Sequence, residues 1–504
     1  LIFRTAGYSQ ELLGVVNSTT SGVNSPLINP AGMADSRFWL DINILTLDVF
    51  AENNMVYMSK NDYYFTKLFK DNNYTTDREN RDGTMIFDKY NSKNKKLYSS
   101  IRLQGPEFMM SLGRHSFALI DGIRFATSMK GLPFHVAKLA YEGTDYAPLQ
   151  NKTYTADKFR WAAAGWGEIG LSYSYIIKHE KTKLIAVGAS VKKLFGIYGG
   201  YLNNNKFTYN VLNDSVMQID NLNASFGYGG PFDYAGGGTG GGKLFSGRGW
   251  GFDLGFVLMN KPSVGYNGFH KPCSQTYRDY DWKLGVSILD IGGIKFKSNA
   301  AKYSFNDVST IWNGIDTFKY RNQTQINNEM NYHFGTGSPD QFLAGNNISI
   351  GLPTALSIQY DYRYTKNWYF NGTIVYPLHF SKTGIRRASQ FAFTPRYERK
   401  KWEVNLPVSV YDMQSLRMGL AVRVLSVTVG TEKLSPFLGT KDFTGLDLYV
   451  AVKVSFDKGK CRQGKGWNPV RRLFNKRSIL YKIFVKPFSI FKSKKKFRCK
   501  KFGK

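Results

Sequence analysis

Apolar residues recur at every second position in one segment after another of this 504-residue chain, and that period decides most of what it can become. Thr444-Gly445 leads into Leu446, Leu448, Val450, Val452, Val454 and Phe456, with Asp447, Tyr449, Ala451, Lys453 and Ser455 between them. After Pro353, Leu356, Ile358, Tyr360, Tyr362 and Tyr364 alternate with Ala355, Ser357, Gln359, Asp361 and Arg363. A period of two with polar groups opposite marks a strand with one apolar face. Met418, Leu420, Val422 and Val424 alternate in the same way with Arg417, Gly419, Ala421 and Arg423, and Val404, Leu406, Val408 and Val410 with Asn405, Pro407 and Ser409. Pro407 cannot donate to a ladder, so a bulge or break is expected there. Further strands are expected from Phe38 and Ile101 and around 170–177, 185–191 and 284–288. A soluble sandwich could supply any one of these. Many of them, spread over most of the chain without a second compositional type, point to one large sheet.

No run of 18 apolar residues occurs, so no transmembrane helix is expected. An apolar share of 42% is too high for a disordered chain. The 3 cysteines are too few for a disulfide framework and lack metal-ligand spacing. A soluble multidomain β protein or a transmembrane β-barrel remains, and a barrel hides its membrane signal in alternation. The face from Leu356 to Tyr364 grades from aliphatic to aromatic, as where a strand leaves hydrocarbon for headgroups. The expected fold is therefore all-β: a single closed transmembrane antiparallel barrel over residues 37–456, with a plug-like segment at 10–36 and a basic tail at 457–504. At roughly 30 residues per strand with its connection the barrel has about 14 strands, and 12 to 16 are admissible (~9–11 residues span the membrane). A barrel of this size is not filled by its side chains alone, so a plug or inserted loop is expected. Long connections are expected at 61–96, at 227–251 around a glycine tract, and at 299–345.

The segment Asn29-Pro30-Ala31-Gly32-Met33 resembles the NPAGM element in the N-terminal plug of the long-chain fatty-acid transporter (FadL-like) family of outer-membrane barrels. A larger part of the chain is similar to a less characterised Bacteroidota outer-membrane family of related design. The similar stretches include Leu27–Ile44, Gln104–Met109, Trp166–Tyr173, Val191–Gly196, Gly249–Gly255, Leu284–Phe296 and Pro395–Glu398. The resemblance implies an N-terminal segment tucked into or under a single barrel, and some relatives carry a peptidoglycan-binding domain where this chain has only a basic tail. The last strand (Gly445, Leu448, Val450, Val452, Val454, Phe456) resembles the closing-strand signal of bacterial outer-membrane barrels, here followed by 48 further residues.

Residues 1–9 have the pattern of the tail of a secretory signal peptide, with Gly7 and Ser9 ahead of a cut before Gln10. This places the mature chain outside the cytoplasm and argues against nucleic acid as the partner of its net charge of +31. The tail holds 18 Lys+Arg against Asp457 alone. Its cations, among them Arg471, Arg472, Lys476, Arg477, Lys482 and Lys486, are interleaved with apolar residues as in a basic amphipathic helix lying on a membrane surface. Inner-leaflet lipid, peptidoglycan carboxylates or an acidic periplasmic protein would be its partners, and a solvated extension is the alternative. Cys461 and Cys499 flank the tail and could pair in an oxidising compartment, leaving Cys273 unpaired. Outer-membrane lipid and lipopolysaccharide would surround the barrel itself.

No catalytic pattern is complete. Gly237 to Gly242-Lys243 has phosphate-loop spacing but is followed by Leu244 rather than Ser or Thr, and His179-Glu180 lacks a second zinc-ligand histidine. Neither an enzyme nor a cofactor or metal is expected. Two functions remain open. In the first, the barrel passes small apolar or anionic solutes, and of the lumen-facing candidates Asp361, Arg363, Arg417, Arg423 and Lys453 the three arginines concentrate anions. The same arginines could instead pair with Asp361 and other lumen acids and simply pack the interior. In the second, the barrel is a scaffolding subunit of a larger outer-membrane complex, docked through its tail.

Overall fold

The computed structural model describes residues 11–34, 36–60, 86–180, 182–231, 243–262, 269–271, 275–277, 279–317, 323–335 and 341–456. The expected signal remnant, the centres of the first loop and of the glycine tract, Cys273, and the whole tail with Cys461, Cys499 and its cations lie outside them.

Alternation along the chain produces fourteen antiparallel strands. They are β1 (Leu40–Asn53), β2 (Lys95–Gln104 continued by Glu107–Leu112), β3 (His115–Leu132), β4 (Phe159–His179) and β5 (Lys183–Val211). Next come β6 (Val216–Gly229 and Gly247–Asn260), β7 (Trp282–Phe296 and Ala300–Asn313) and β8 (Leu343–Gly345, Ile348–Gly351 and Ala355–Arg363). The rest are β9 (Trp368–Pro377), β10 (Gln390–Glu398), β11 (Trp402–Asn405 and Val408–Tyr411), β12 (Ser415–Met418 and Leu420–Val424), β13 (Val427–Thr431) and β14 (Asp447–Phe456). Each strand pairs with its neighbour in sequence, and β14 returns to β1 in register from Leu40↔Phe456 to Phe50↔Asp447. The sheet is closed, so no edge is left to pair with another chain.

Strand breaks fall where the backbone cannot continue a ladder. The β11 ladder stops on either side of Pro407, whose carbonyl accepts from Gly419 N–H across the gap. In β7 the register slips between Ile288 and Ile291 opposite Phe252 and Leu254. The bulge throws Asp290 (φ 53°) inward, and such a bulge re-aims a side chain.

Two expectations about connections are corrected. Residues 300–313 and 343–345, read as loop because they are polar, continue the wall of β7 and β8, and 227–229 and 247–251 are the inner ends of the two halves of β6. Both halves of β6 pair with β5, whose 29 residues far exceed a membrane-spanning length, and 300–313 pairs in turn with β6. This side of the wall stands above the rest. There the apolar face, with Met217, Ile219, Ala301, Tyr303 and Phe305, is buried and the opposite face is polar, while register shifts between Ile219 and Ala224 break the period along β6.

Outward positions carry a band of exposed apolar side chains, including Ile169 and Leu171 on β4, Trp250, Phe252 and Leu254 on β6, and Val454 on β14. Aromatic residues gather at one end of the strands: Phe117 with Tyr173, Trp282 with Tyr360, and Trp368 with Tyr397. That end, which also holds the start of β1 and the end of β14, has turns as brief as 113–114 and 425–426. The opposite end carries the longer connections, with helices Phe134–Glu142 and Gln323–Phe334. If the band faces hydrocarbon, Leu171→Arg is expected to destabilise the barrel by about 2–4 kcal/mol in lipid vesicles. Denaturant titration against a Lys206→Gln control measures it, and an unchanged midpoint would place the band elsewhere.

Candidate functional site

Fourteen strands enclose more space than wall side chains fill, and here two segments occupy the difference. Residues 11–34 lie inside the barrel. They contain a short helix, Leu13–Val16, and two 3-10 turns, Gly22–Leu27 and Pro30–Met33. Such short turns cannot satisfy their own backbone, and the wall does so instead. Leu13 N–H donates to Glu432 Oε1 (2.8 Å), Gly14 N–H to Tyr449 Oη (3.1 Å), Thr19 N–H to Glu398 Oε1 (3.1 Å) and Val23 N–H to Asp41 Oδ2 (2.9 Å). Lys453 Nζ donates to the carbonyls of Thr20 (2.7 Å) and Ser21 (2.8 Å), and Ser116 Oγ to that of Met33 (3.1 Å).

The Asn29–Met33 motif sits against β5–β7. Asn29 caps the second turn: its Oδ1 accepts from Ala31 N–H (3.0 Å), and its Nδ2 donates to Phe256 O and Gln359 Oε1 (both 3.1 Å). Pro30 follows at the first turn position, where a missing N–H costs nothing. Ala31 and Met33 are fully buried. The wall beneath the motif is stripped of side chains. A Cβ at Gly188 would lie 2.5 Å from Ala31 N, one at Gly255 2.2 Å from Asn29 Oδ1, and one at Gly285 2.8 Å from Asn29 Nδ2. These glycines went unnoticed in the sequence because each sits singly in a different strand. Asn29→Ala removes three bonds that leave Phe256 O, Gln359 and Ala31 N–H short of partners. It is expected to lower stability by roughly 1–3 kcal/mol, measurable as a shift in the unfolding midpoint.

The second occupant is the β9–β10 connection, residues 378–389, which folds inward. Ile385 N–H donates to Gly351 O (3.0 Å), Arg386 N–H to Ser128 Oγ (2.8 Å), and Ile385 packs with Trp166, Leu194, Phe296 and Ile350. The two segments meet at Arg387, whose NH1 lies 3.4 Å from Glu11 Oε1 and whose NH2 donates to Asp290 Oδ2 (3.0 Å). Burial raises the Glu11 carboxyl above the ordinary carboxylate range, and Arg387 draws it only part of the way back.

Asp290 is the hub of this region. Arg124 grips it through both terminal nitrogens (2.9 Å each), and Lys192 reaches it at 3.1 Å while pairing with Asp253 at 2.7 Å. The residues singled out from the sequence occupy other, separate places. Asp361 pairs with Arg396 (2.9 Å), not Arg363, and accepts from Tyr280. Arg363 meets Asp281 (2.8 Å), Arg417 meets Glu52 (2.8 Å) and Arg423 meets Glu403 (3.0 Å). These three guanidiniums are therefore matched by wall acids. The pairing follows the alternative in which these arginines are matched by acids rather than converging on a solute; the partners are Asp281, Glu52 and Glu403 and not Asp361, which alternation could not show because they lie elsewhere in the chain.

Two small cavities lie among the described residues, each with room for little more than a water molecule. One lies between β1–β3 and the inward loop, the other between the Pro26–Leu27 turn and the Asp290 cluster.

Among solved structures the chain is similar to the Ralstonia pickettii toluene transporter TbuX (9% identity, 90% of this chain and 100% of that one, TM-score 0.37). It is similar also to the Pseudomonas putida toluene transporter TodX (11%, 89% and 96%, TM-score 0.30) and to a Pseudomonas aeruginosa FadL homologue (10%, 90% and 98%, TM-score 0.30). Likenesses at this level say nothing of what this barrel carries. No curated protein matches the chain. A family model does match, over residues 30–431, from the proline of the inner motif to the end of β13. The chain belongs to the DUF5723 family, a family of unknown function.

Proposed function

We propose that this protein is an outer-membrane barrel that passes small apolar or anionic solutes and is shut, in the state described, by two of its own segments. The observation that carries the reading is the nature of the filling. The lumen is occupied by residues 11–34 and by the inward loop 378–389, which are held by hydrogen bonds and ion pairs to the wall. A barrel needing only rigidity can fill its interior with wall side chains, whereas one filled by separable segments can be emptied. The exposed apolar band with aromatic residues toward its rim is what a bilayer requires, and the short-turn end would face the periplasm. Outer-membrane lipid and lipopolysaccharide would then contact the band, and the basic tail would leave on the periplasmic side.

Vesicle permeability tests the reading. Purified barrel lacking residues 11–34 is expected to fold, shown by heat-modifiable migration, and to pass a small sugar and a small carboxylate at least tenfold faster than the intact chain. A folded, shortened barrel that passes neither solute would remove the passage role.

A further inference from the structure

We propose that the cavity between β1–β3 and the inward loop binds a small oxyanion, such as inorganic phosphate or a carboxylate head group. The inference rests on the passage reading, whose solute class it names. Four arginines line this cavity, Arg102, Arg124, Arg386 and Arg387, together with the polar groups of Tyr98 and Ser100, and no Asp or Glu is among its lining residues. Asp290 and Glu11 meet Arg124 and Arg387 from outside the cavity.

Two of the four guanidiniums have donors to spare. Arg102 on β2 is only 7% exposed, and no hydrogen bond or ion pair joins its side chain to a described residue; Asp48 is its neighbour across the β1–β2 ladder. Arg387 is 3% exposed, and its Nε and NH1 are buried without a hydrogen bond. Asp48 and Asp290 act on the Arg102 charge without hydrogen-bonding it, buried donors left without a hydrogen bond are costly, and a guanidinium offers a planar fork matched to the oxygens of a carboxylate or phosphate. Arg386 stands half-buried at the mouth with Arg160 near it, and burial and Arg160 both disfavour its charge. An anion would relieve both. The cavity is narrow, so the anion must be small, and Arg386 must swing to admit it. Arg363, Arg417 and Arg423 each meet an acid at 2.8–3.0 Å, whereas no ion pair to a described residue holds Arg102 or Arg386.

Calorimetric titration of inorganic phosphate, and separately of acetate, into the full chain in phosphate-free detergent tests the assignment. Saturable binding at one site is expected, weakened at least tenfold by Arg102→Gln and by Arg386→Gln, retained in part by Arg102→Lys, and unaffected by Lys206→Gln. The unfolding midpoint of Arg102→Gln should gain less from added phosphate than that of the intact chain. Absence of saturable binding, or equal binding by folded Arg102→Gln, overturns the site. Permeability to an uncharged sugar separates the two readings. If the shortened barrel passes sugar but the intact chain binds no oxyanion, the site alone is wrong; if oxyanion binds but nothing passes, the site stands and the passage role fails.

Discussion

Gly255→Leu is expected to unseat the inner segment while leaving the wall closed. Even the first atom of a new side chain would lie 2.2 Å from Asn29 Oδ1 and 3.0 Å from Ala31 N, and the Leu branch would have to occupy the space of Pro30. The first clash is with the Asn29 side-chain oxygen that caps the turn, so rotating it away would itself break the cap, and Ala31 N and the Pro30 ring stand next to it. Overpacking of this kind costs about 1–3 kcal/mol where neighbours can shift, and more where backbone is struck. The wall can keep its own ladder, since Gly255 pairs with Gly188 and Ser287 through backbone atoms that the substitution leaves in place. Strain therefore falls on the contact between segment and wall. At the upper end of that range the seated fraction changes by roughly a hundredfold (about 1.4 kcal/mol per factor of ten). Limited proteolysis should cut within residues 11–34 while the barrel stays resistant, and vesicle permeability should rise toward that of the shortened chain. Gly188→Ala, with its new atom 2.5 Å from Ala31 N, should act in the same direction with a smaller effect. Continued protection of the segment in Gly255→Leu would mean that the motif has another seat.

How much of this was legible beforehand follows from where the chain alternates. β8, β12 and β14 announce themselves because one face meets core and the other an apolar exterior, and the break at Pro407 follows from its missing N–H. The strand number follows from length alone. The Asn29–Met33 motif was visible as a resemblance, but its seat was not, because Gly188, Gly255 and Gly285 converge only once three strands are side by side. The upper parts of β6 and β7 were lost for another reason: Asn221 and Asn223 both donate to Asp307 on a polar face, and register shifts between Ile219 and Ala224 interrupt the buried alternation of Met217, Ile219, Ala301, Tyr303 and Phe305. Charge was the hardest to place. Alternation tells which face Arg417 or Arg423 is on, but not that Glu52 or Glu403 waits there from another strand. Nor could it show that residues 378–389, an ordinary connection by length, turn inward and carry Arg386 and Arg387 to the lumen.

Asp290→Asn is expected to produce the other large effect, because the substitution keeps shape and removes only charge. The backbone bulge that presents residue 290 is held independently, by its N–H to Asp253 Oδ1 (2.7 Å) and by Thr354 Oγ1 to its carbonyl (2.7 Å), so the amide should occupy the same place. Arg124, Lys192 and Arg387 would then share the region with Asp253, Glu168 and Glu11 alone, and Arg124 reaches Glu168 only at 3.5 Å. Removing one partner from a buried ion cluster leaves uncompensated charge and costs about 3–5 kcal/mol. The loss should appear as a lower denaturant midpoint in vesicles, and a second change, Lys192→Met, should recover part of it, since the two residues are coupled and their effects are not additive. Arg387 makes the consequence functional as well as structural. It ties the inward loop to Asp290 and, through Glu11, to the inner segment, so weakening that tie should loosen both occupants together and raise permeability along with the fall in stability. If stability falls without any rise in permeability, Asp290 holds the wall only, and the two segments are kept in place by their own contacts with it.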